Sequence, residues 1–396
     1  MSMQSGRRVG VAFVGMGGAV ATTAIAGIEM IKSGSNRLDG LPLAGLSVAG
    51  MADYKDLVFG GWDLNGDDLA SAASGHGVLS KDDIENGAQV LKGITPWPAV
   101  GSAKFCKNID GQNRIVAKDH REAVSVIAND LRRFQKESNL DDVVVVNLAS
   151  TERWPDLNDP TLNSTAAFEK GLDSSDEAIS PAMLYAYAAI KSGIPYANFT
   201  PSVAADVPAL LELAKELNVP VAGKDGKTGQ TMMKTVLAPA FKARALHVDG
   251  WFSTNILGNR DGLALNDPNS LQSKLNTKGT VLDSILGYPV EDHLVHIHYY
   301  RPRGDDKEAW DNIDVTGFMG QRMQIKVNFL CKDSILAAPL VIEIARVLDL
   351  AKKRGDGGVQ EQLSTFFKAP MVKNGHGPEH AFGKQEAMLL DWLGVH

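Results

Sequence analysis

The sequence predicts an α/β protein: a doubly wound parallel sheet, followed by a smaller mixed α+β unit. Three observations carry this. Short apolar runs rich in Val, Ile and Phe alternate with helical stretches over residues 7–246. Each run ends in a polar or glycine-containing turn. After about residue 245 the texture changes to longer, partly alternating strands, before a long helical stretch at 334–355. Strands separated by helices need crossover connections, and a parallel sheet covered on both faces supplies them.

The first unit, RRVGVAFVGMGGAVATTAIAGIEMIKSG (7–34), reads as strand, glycine turn and helix. Val9, Val11, Phe13 and Val14 form the strand. A small-residue helix runs from about Ala19 to Lys32, and Gly34 suits its end. DLVFGGWDLNGDDLASAA (56–73) repeats the theme, with a strand closing at Asp63. AKDHREAVSVIANDLRRFQKESNLDDVVVVNLAST (117–151) is a long amphipathic helix and then a buried strand from Val143 to Leu148. Helix, Gly193, strand and polar turn follow in 176–202; helix, strand, glycine turn and helix follow in 209–246. In the later unit, QRMQIKVNFLCKD puts Met323, Ile325, Val327 and Phe329 on one face and Gln324, Lys326 and Asn328 on the other. Such a sheet faces solvent or another subunit.

Bulk properties narrow the function. At 396 residues the chain can bury a large core and form two structural units. Its 44% hydrophobic and 22% charged content is that of a soluble globular protein. A net charge of −7 argues against a nucleic-acid partner, which demands a basic surface. Two cysteines, Cys106 and Cys331, suggest no disulfide framework and fit a cytoplasmic location. The longest apolar runs fall short of the roughly 20 residues that span a bilayer, so no membrane partner is expected.

Ligands of parallel sheets bind beyond the carboxyl ends of the strands. The candidate turns are therefore 15–18, 63–66, 149–152, 198–202 and 224–231. Gly15-Met16-Gly17-Gly18 lets the backbone approach a pyrophosphate, and the following helix start offers free N–H groups. Val20 occupies the third glycine position of the dinucleotide fingerprint, so a tight turn without nucleotide competes with this reading. Asp53 and Asp63 compete for the ribose hydroxyls; VFGGWD is the better strand end, which selects Asp63 and NAD over NADP.

Lysines supply the second signal. In LQSKLNTKGTVLDSIL (271–286), Lys274 and Lys278 sit four residues apart, a spacing at which like charges on a helix repel. This is either a solvated face or an anion site. GKDGKTGQTMMKT (223–235) is a glycine turn into a helix, where Thr228, Gly229, Gln230 and Thr231 suit a phosphate. Lys307 lies in the acidic RPRGDDKEAWDN. Lys368 follows Phe366 and Phe367 in STFFKAPM, where partial desolvation would lower its pKa. His296 and His298 share a strand face in HLVHIHYY without an apparent third metal ligand, and a subunit-interface strand is the better account.

Taken in order, GWDLN, NLASTER, PYANFTPS, GKDGKTGQT, STNILGNRDG, SKLNTKG, GDDK, CKDSILAAPL and FKAP resemble the motifs of the myo-inositol-1-phosphate synthase family. The resemblance implies a Rossmann-type NAD-binding domain built from both chain ends (1–230 plus 334–396). An inserted α+β domain (231–333) would carry catalysis and homotetramer formation. It implies redox-neutral conversion of the sugar phosphate D-glucose 6-phosphate to 1D-myo-inositol 3-phosphate: oxidation at C5, enolisation, aldol closure of C6 on C1 and re-reduction. Developing negative charge on oxygen explains the lysines.

Carried over by the resemblance, Lys274 takes the C5 hydroxyl proton, Lys368 assists at the C1 oxygen, and Lys278 and Lys307 hold phosphate and carbonyl oxygens. Asp225, Asp261 and Asp333 orient these lysines or bind hydroxyls. Asn255 and Leu257 shape the pocket, and the Thr228–Thr231 turn grips the phosphate, itself the base at C6. NAD would lie on Gly15, Met16, Gly17, Gly18, Ala19, Val20 and Asp63, then Ala149, Ser150, Thr151, Thr200, Pro201 and Asp225. A monovalent or divalent cation is a further cofactor the family admits. The chain departs from the family in GMGGAVA, which has no asparagine, in the Leu and Ser of NLASTER, and in Met232, often a lysine. A related sugar-phosphate cyclase or epimerase and a non-catalytic NAD sensor are the competing readings.

Overall fold

The computed structural model describes residues 7–34, 38–259, 262–263, 281–373 and 375–395. The first sheet begins with β1 (Val9–Val14), followed by α1 (Ala19–Ser33), β2 (Leu57–Asp63), α2 (Leu69–His76), α3 (Lys81–Lys92) and the short β3 (Trp97–Pro98). Next come α4 (His120–Glu137), β4 (Asp142–Asn147), α5 (Thr165–Ser174), α6 (Pro181–Lys191), β5 (Tyr196–Asn198), α7 (Pro208–Glu216) and β6 (Pro220–Gly223). The strand order, with β11 (Gly358–Val359) at one edge, is β11-β6-β5-β4-β1-β2-β3, and neighbouring strands pair in parallel throughout. Strand order reverses beside β1, so the turns after β1, β4, β5 and β6 open on one edge.

The apolar strands are buried on both faces, as a parallel sheet requires. One face packs Trp62, Phe134, Tyr185, Tyr196 and Leu210. The other packs Phe13, Ile25, Leu57, Val341 and Phe366, drawing on α1 and the late helix α10 (Asp333–Arg354). Gly61 pairs with Phe13 across β1 and β2 at φ 148°; a Cβ there would lie 2.1 Å from the Phe13 carbonyl oxygen. Only glycine fits so close an approach.

After α8 (Gln230–Ala243) the chain forms β7 (His247–Leu257), α9 (Val281–Leu286), β8 (Asp292–Tyr299), β9 (Asp306–Thr316) and β10 (Arg322–Lys332). They build a second sheet of order β10-β9-β7-β8, with β7 and β8 parallel and the other pairs antiparallel. Helices α8 and α9 cover one face, with Phe241, Trp251, Leu282 and Ile313 in the core. Ile325, Val327 and Phe329 lie half-buried toward it, while Gln324, Lys326 and Asn328 are exposed; Met323, at the open end of β10, is exposed as well. The opposite face carries Phe252, Trp310, Leu294, Leu330, His296 and His298. The chain ends in α11 (Phe382–Leu393). Among the described residues no helix is long and apolar enough to cross a membrane.

The strand expected from Val143 to Leu148 runs Asp142–Asn147: the Leu148 amide makes the last ladder bond, to the Val14 carbonyl, and the chain then turns, the Ala149 amide donating to Asn147 Oδ1. The helix expected at 334–355 starts at Asp333 and stops at Arg354, with Gly355 in the left-handed conformation.

One buried polar cluster fastens the long α1–β2 connection to α10. The Glu343 carboxylate, fully buried, accepts from the Tyr54 hydroxyl (2.6 Å), the Leu43 amide (3.1 Å) and the Arg346 guanidinium (2.6 Å). Burial and the neighbouring carboxylate hold the Tyr54 hydroxyl firmly protonated. Glu343→Ala should therefore destabilise the protein by about 3–5 kcal/mol in urea unfolding, because Arg346 is left buried without its carboxylate. Glu343→Gln, which keeps acceptor and shape, should cost less.

Candidate active site

The glycine turn after β1 is bolted to the end of β2. The amides of Gly15 and Met16 donate to the Trp62 carbonyl at 2.8 and 2.9 Å, and the Gly17 amide donates to Asp63 Oδ2 at 2.8 Å. A Cβ on Gly17 would lie 3.1 Å from the Asp63 carboxylate, and one on Gly18 would lie 3.0 Å from the Gly15 carbonyl oxygen. Gly18 caps α1 without a side-chain hydrogen bond, and no acidic residue stands in the first turn, where Ala19 and Val20 lie. That helix start is electropositive and open to an anion. Asp63 ends β2 beside the turn. Its competitor Asp53 sits at the other end of the strand, capping the short turn Tyr54–Asp56.

β4 and β5 end in asparagines that shape the next two turns. Asn147 Oδ1 accepts from the Ala149 amide at 3.1 Å, and Asn147 Nδ2 donates to Asn198 Oδ1 at 3.2 Å. Asn198 Oδ1 also accepts from the Thr200 amide (3.1 Å) and hydroxyl (2.9 Å). The Thr200 carbonyl accepts from the Asp225 amide at 3.0 Å. A Cβ on Gly15 would meet the Ala149 backbone at 3.1 Å. Gly15, Ala149, Thr200 and Asp225 thus follow one another along the carboxyl edge. Ser150 is half-buried and Thr151 and Pro201 are buried in the same turns.

Beyond β6, residues 366–371 run antiparallel to 223–227. The amides of Lys224 and Ala369 exchange hydrogen bonds with each other's carbonyls (2.8 and 3.1 Å), Lys368 N donates to the Asp225 carbonyl (2.7 Å), and Met371 N donates to Gly223 (2.7 Å). This pairing sets Lys368 Nζ 2.8 Å from Asp225 Oδ1, with both residues buried. A second pair, Lys307 Nζ to Asp333 Oδ1 at 3.2 Å, joins the start of β9 to the start of α10. Thr228 Oγ1 donates to the same Asp333 oxygen at 3.0 Å. Gly229 caps α8 without a side-chain hydrogen bond, Thr231 is buried in the first turn, and Gln230 Oε1 accepts from Asn255 Nδ2 at 2.5 Å. Leu257 is buried at the end of β7.

Of the lysines singled out from the sequence, Lys307 and Lys368 are therefore brought to one edge, each against a carboxylate. Lys274, Lys278 and Asp261 lie outside the described residues. Amines held by carboxylates are pre-positioned donors toward oxygens that gain charge.

Sequence reasoning passed over several polar residues. Asn147 and Asn198 lie within NLASTER and PYANFTPS, and an asparagine closing an apolar strand is a usable signal. Asp305, lifted above the usual carboxylate range by burial, accepts from the Ser334 amide (3.1 Å) and hydroxyl (2.7 Å) at the start of α10. Lys224 pairs with Asp206 at 2.6 Å and lies 4.5 Å from the Trp154 ring centre. Lys234, pulled down to about 8 by burial, sits 2.7 Å from His293 Nε2. Their spacing marks none of these last three.

Against this geometry stand the likenesses to known proteins. The family model described as myo-inositol-1-phosphate synthase matches residues 42–394. Inositol-3-phosphate synthase 1 of Bacteroides thetaiotaomicron is 44% identical over 407 residues, covering 98% of this chain and 95% of that protein. Inositol-3-phosphate synthase isozyme 2 of Arabidopsis thaliana is 35% identical over 372 residues, covering 88% and 72%. The crystal structure of inositol-3-phosphate synthase from Caenorhabditis elegans superposes with a TM-score of 0.92 at 26% identity, covering 98% of this chain and 86% of that one. The chain belongs to the myo-inositol-1-phosphate synthase family.

Proposed function

We propose that the chain converts D-glucose 6-phosphate to 1D-myo-inositol 3-phosphate with NAD bound throughout. The observation that carries this is the pairing of Lys368 with Asp225 and of Lys307 with Asp333 on either side of the Thr228–Thr231 turn. That turn is linked to the glycine turn by the hydrogen bonds of Asp225, Thr200, Asn198, Asn147 and Ala149 and by the close approach of Ala149 to Gly15. When bound on the Gly15–Val20 turn and Asp63, NAD would supply reversible hydride transfer at the sugar.

The chain's own residues fit the dinucleotide. The uncapped start of α1, approached over Gly17 and Gly18, would hold the pyrophosphate, and Asp63 would accept from the ribose hydroxyls. Ala149, Ser150, Thr151, Thr200 and Pro201 continue the groove. Over the sugar, the amine of Lys368 donates to the C1 oxygen as it gains charge during ring closure. The amine of Lys307 holds the phosphate and carbonyl oxygens. Asp225 and Asp333 orient the two amines, and Thr228 and the first amides of α8 grip the phosphate. In this reading Lys274 and Lys278 complete the set, Lys274 taking the C5 hydroxyl proton, with Asp261 beside them. Asn255 orders Gln230, and Leu257 closes the pocket.

The same reading divides the chain into a dinucleotide domain (1–230 plus 334–396) and an inserted domain (231–333). The outer face of the second sheet, with Leu294, Trp310 and Leu330, becomes the contact between subunits of a homotetramer. A monovalent or divalent cation beside the phosphate belongs to it as well, and the cytoplasm is the proposed location.

Incubation with glucose 6-phosphate and catalytic NAD should give a periodate-sensitive inositol phosphate with no net NADH. Accumulation of NADH in step with sugar consumed would instead mark a simple dehydrogenase. Lys368→Ala and Lys307→Ala should each lower kcat on the order of 100-fold or more while NAD still binds, as measured by single-turnover kinetics and calorimetry. Light scattering should give four times the chain mass of 42.4 kDa, and Leu330→Lys should yield smaller species.

A further inference from the structure

We propose that Lys227 is a positioning residue that ties the C-terminal helix α11 to the turn gripping the substrate. The inference rests on the function proposed above. Within 224–229 the side chains diverge. Asp225 meets Lys368, Thr228 meets Asp333, and Lys227 points the other way. Only 3% exposed, Lys227 runs into a pocket under α11, where its amine donates to Gln385 Oε1 and lies 5.3 Å from the Phe382 ring centre. Gln385 is fully buried, and its Nε2 donates to the Glu379 carbonyl at 2.6 Å. The Lys227 amide donates to the Phe366 carbonyl at 2.8 Å, two residues before Lys368. One residue is therefore tied at its backbone to the strand bearing Lys368 and at its side chain to α11.

A buried amine is an unusual tether. A methionine would fill the same space without needing a partner, so the hydrogen bond to Gln385 is the feature that a lysine adds. Burial pulls its pKa down to about 7. The titratable neighbours are His380, pushed to about 4 by burial and by Lys227 itself, and Glu379, which accepts from the amides of His380 and Ala381 and pairs with Lys384 at 3.2 Å. Because Thr228 is adjacent and Asp225 is two residues away, a shift of the Lys227 backbone moves both groups together. Displacements of about 1 Å at reacting groups cost on the order of 100-fold in rate.

The test uses the full chain carrying Lys227→Met, Gln385→Leu or both. Hydrogen exchange of 223–231, read without substrate, should quicken roughly tenfold in each single variant. The value of kcat/KM should fall by roughly ten- to a hundredfold, carried by KM for glucose 6-phosphate. The double variant should be no worse than the worse single one, since both remove the same contact. The pH dependence separates tethering from packing. The folded pKa lies below the ordinary 10.5, so the penalty of burying a charged amine is full below pH 7 and is relieved as pH rises toward 10.5. Protection of 223–231 should therefore increase between pH 7 and 9 in the parent but not in Lys227→Met, while His380 stays neutral across that window.

Parent-like exchange in both single variants, or quickened exchange with unchanged KM, overturns the proposal. Should Lys227→Met fail to fold, Gln385→Leu against Gln385→Glu decides, since only the latter keeps the acceptor and is expected to keep the protection. A parent chain that leaves glucose 6-phosphate untouched refutes the function instead, and the exchange arm still judges the tether.

Discussion

The antiparallel pairing of residues 366–371 with 223–227 is the constraint on which the site depends. It is a backbone interaction, yet it determines side-chain chemistry. Five backbone hydrogen bonds fix the register, and that register puts the Lys368 amine against Asp225. A slip of one residue would turn Lys368 to the opposite side. The peptide that receives the pairing is the same one that carries Thr228 and opens α8. One local register therefore organises an amine, a carboxylate and a helix start.

Burial then sharpens the electrostatics. Lys368, Asp225 and Lys307 are all nearly inaccessible, so their mutual attractions are screened less than on the surface. Removing charges from water is costly, and the structure meets that cost with direct carboxylate partners at 2.8 and 3.2 Å. The arrangement suits chemistry in which negative charge appears on substrate oxygens and must be met by donors already in place. Lys227 and Lys234 are buried differently: each meets a neutral acceptor or ring nitrogen, and burial lowers both pKa values.

Much of the fold was legible in the sequence because its signals are local. Apolar runs, a glycine after the helix at Gly34 and the polar strand ends set periodicity and boundaries within a residue or so. The glycine turn and Asp63 were equally readable, since tight approach excludes a side chain at Gly17. The motif resemblance pointed to Lys307, Lys368, Asp225 and Asp333 as members of one set. It did not point to Lys224, Lys227 or Asp305, whose partners Asp206, Gln385 and Ser334 lie 18, 158 and 29 positions away, at separations that no motif marks.

The sequence by itself determined the alternation of strand and helix, the glycine turn and which residues were able to carry charge to the strand ends. These follow from steric and hydrophobic preferences that act over a few residues. Long-range packing settled which carboxylate meets which amine and that Lys227 turns toward α11. Those choices depend on the desolvation of groups brought together from remote segments, and no window along the chain contains that information.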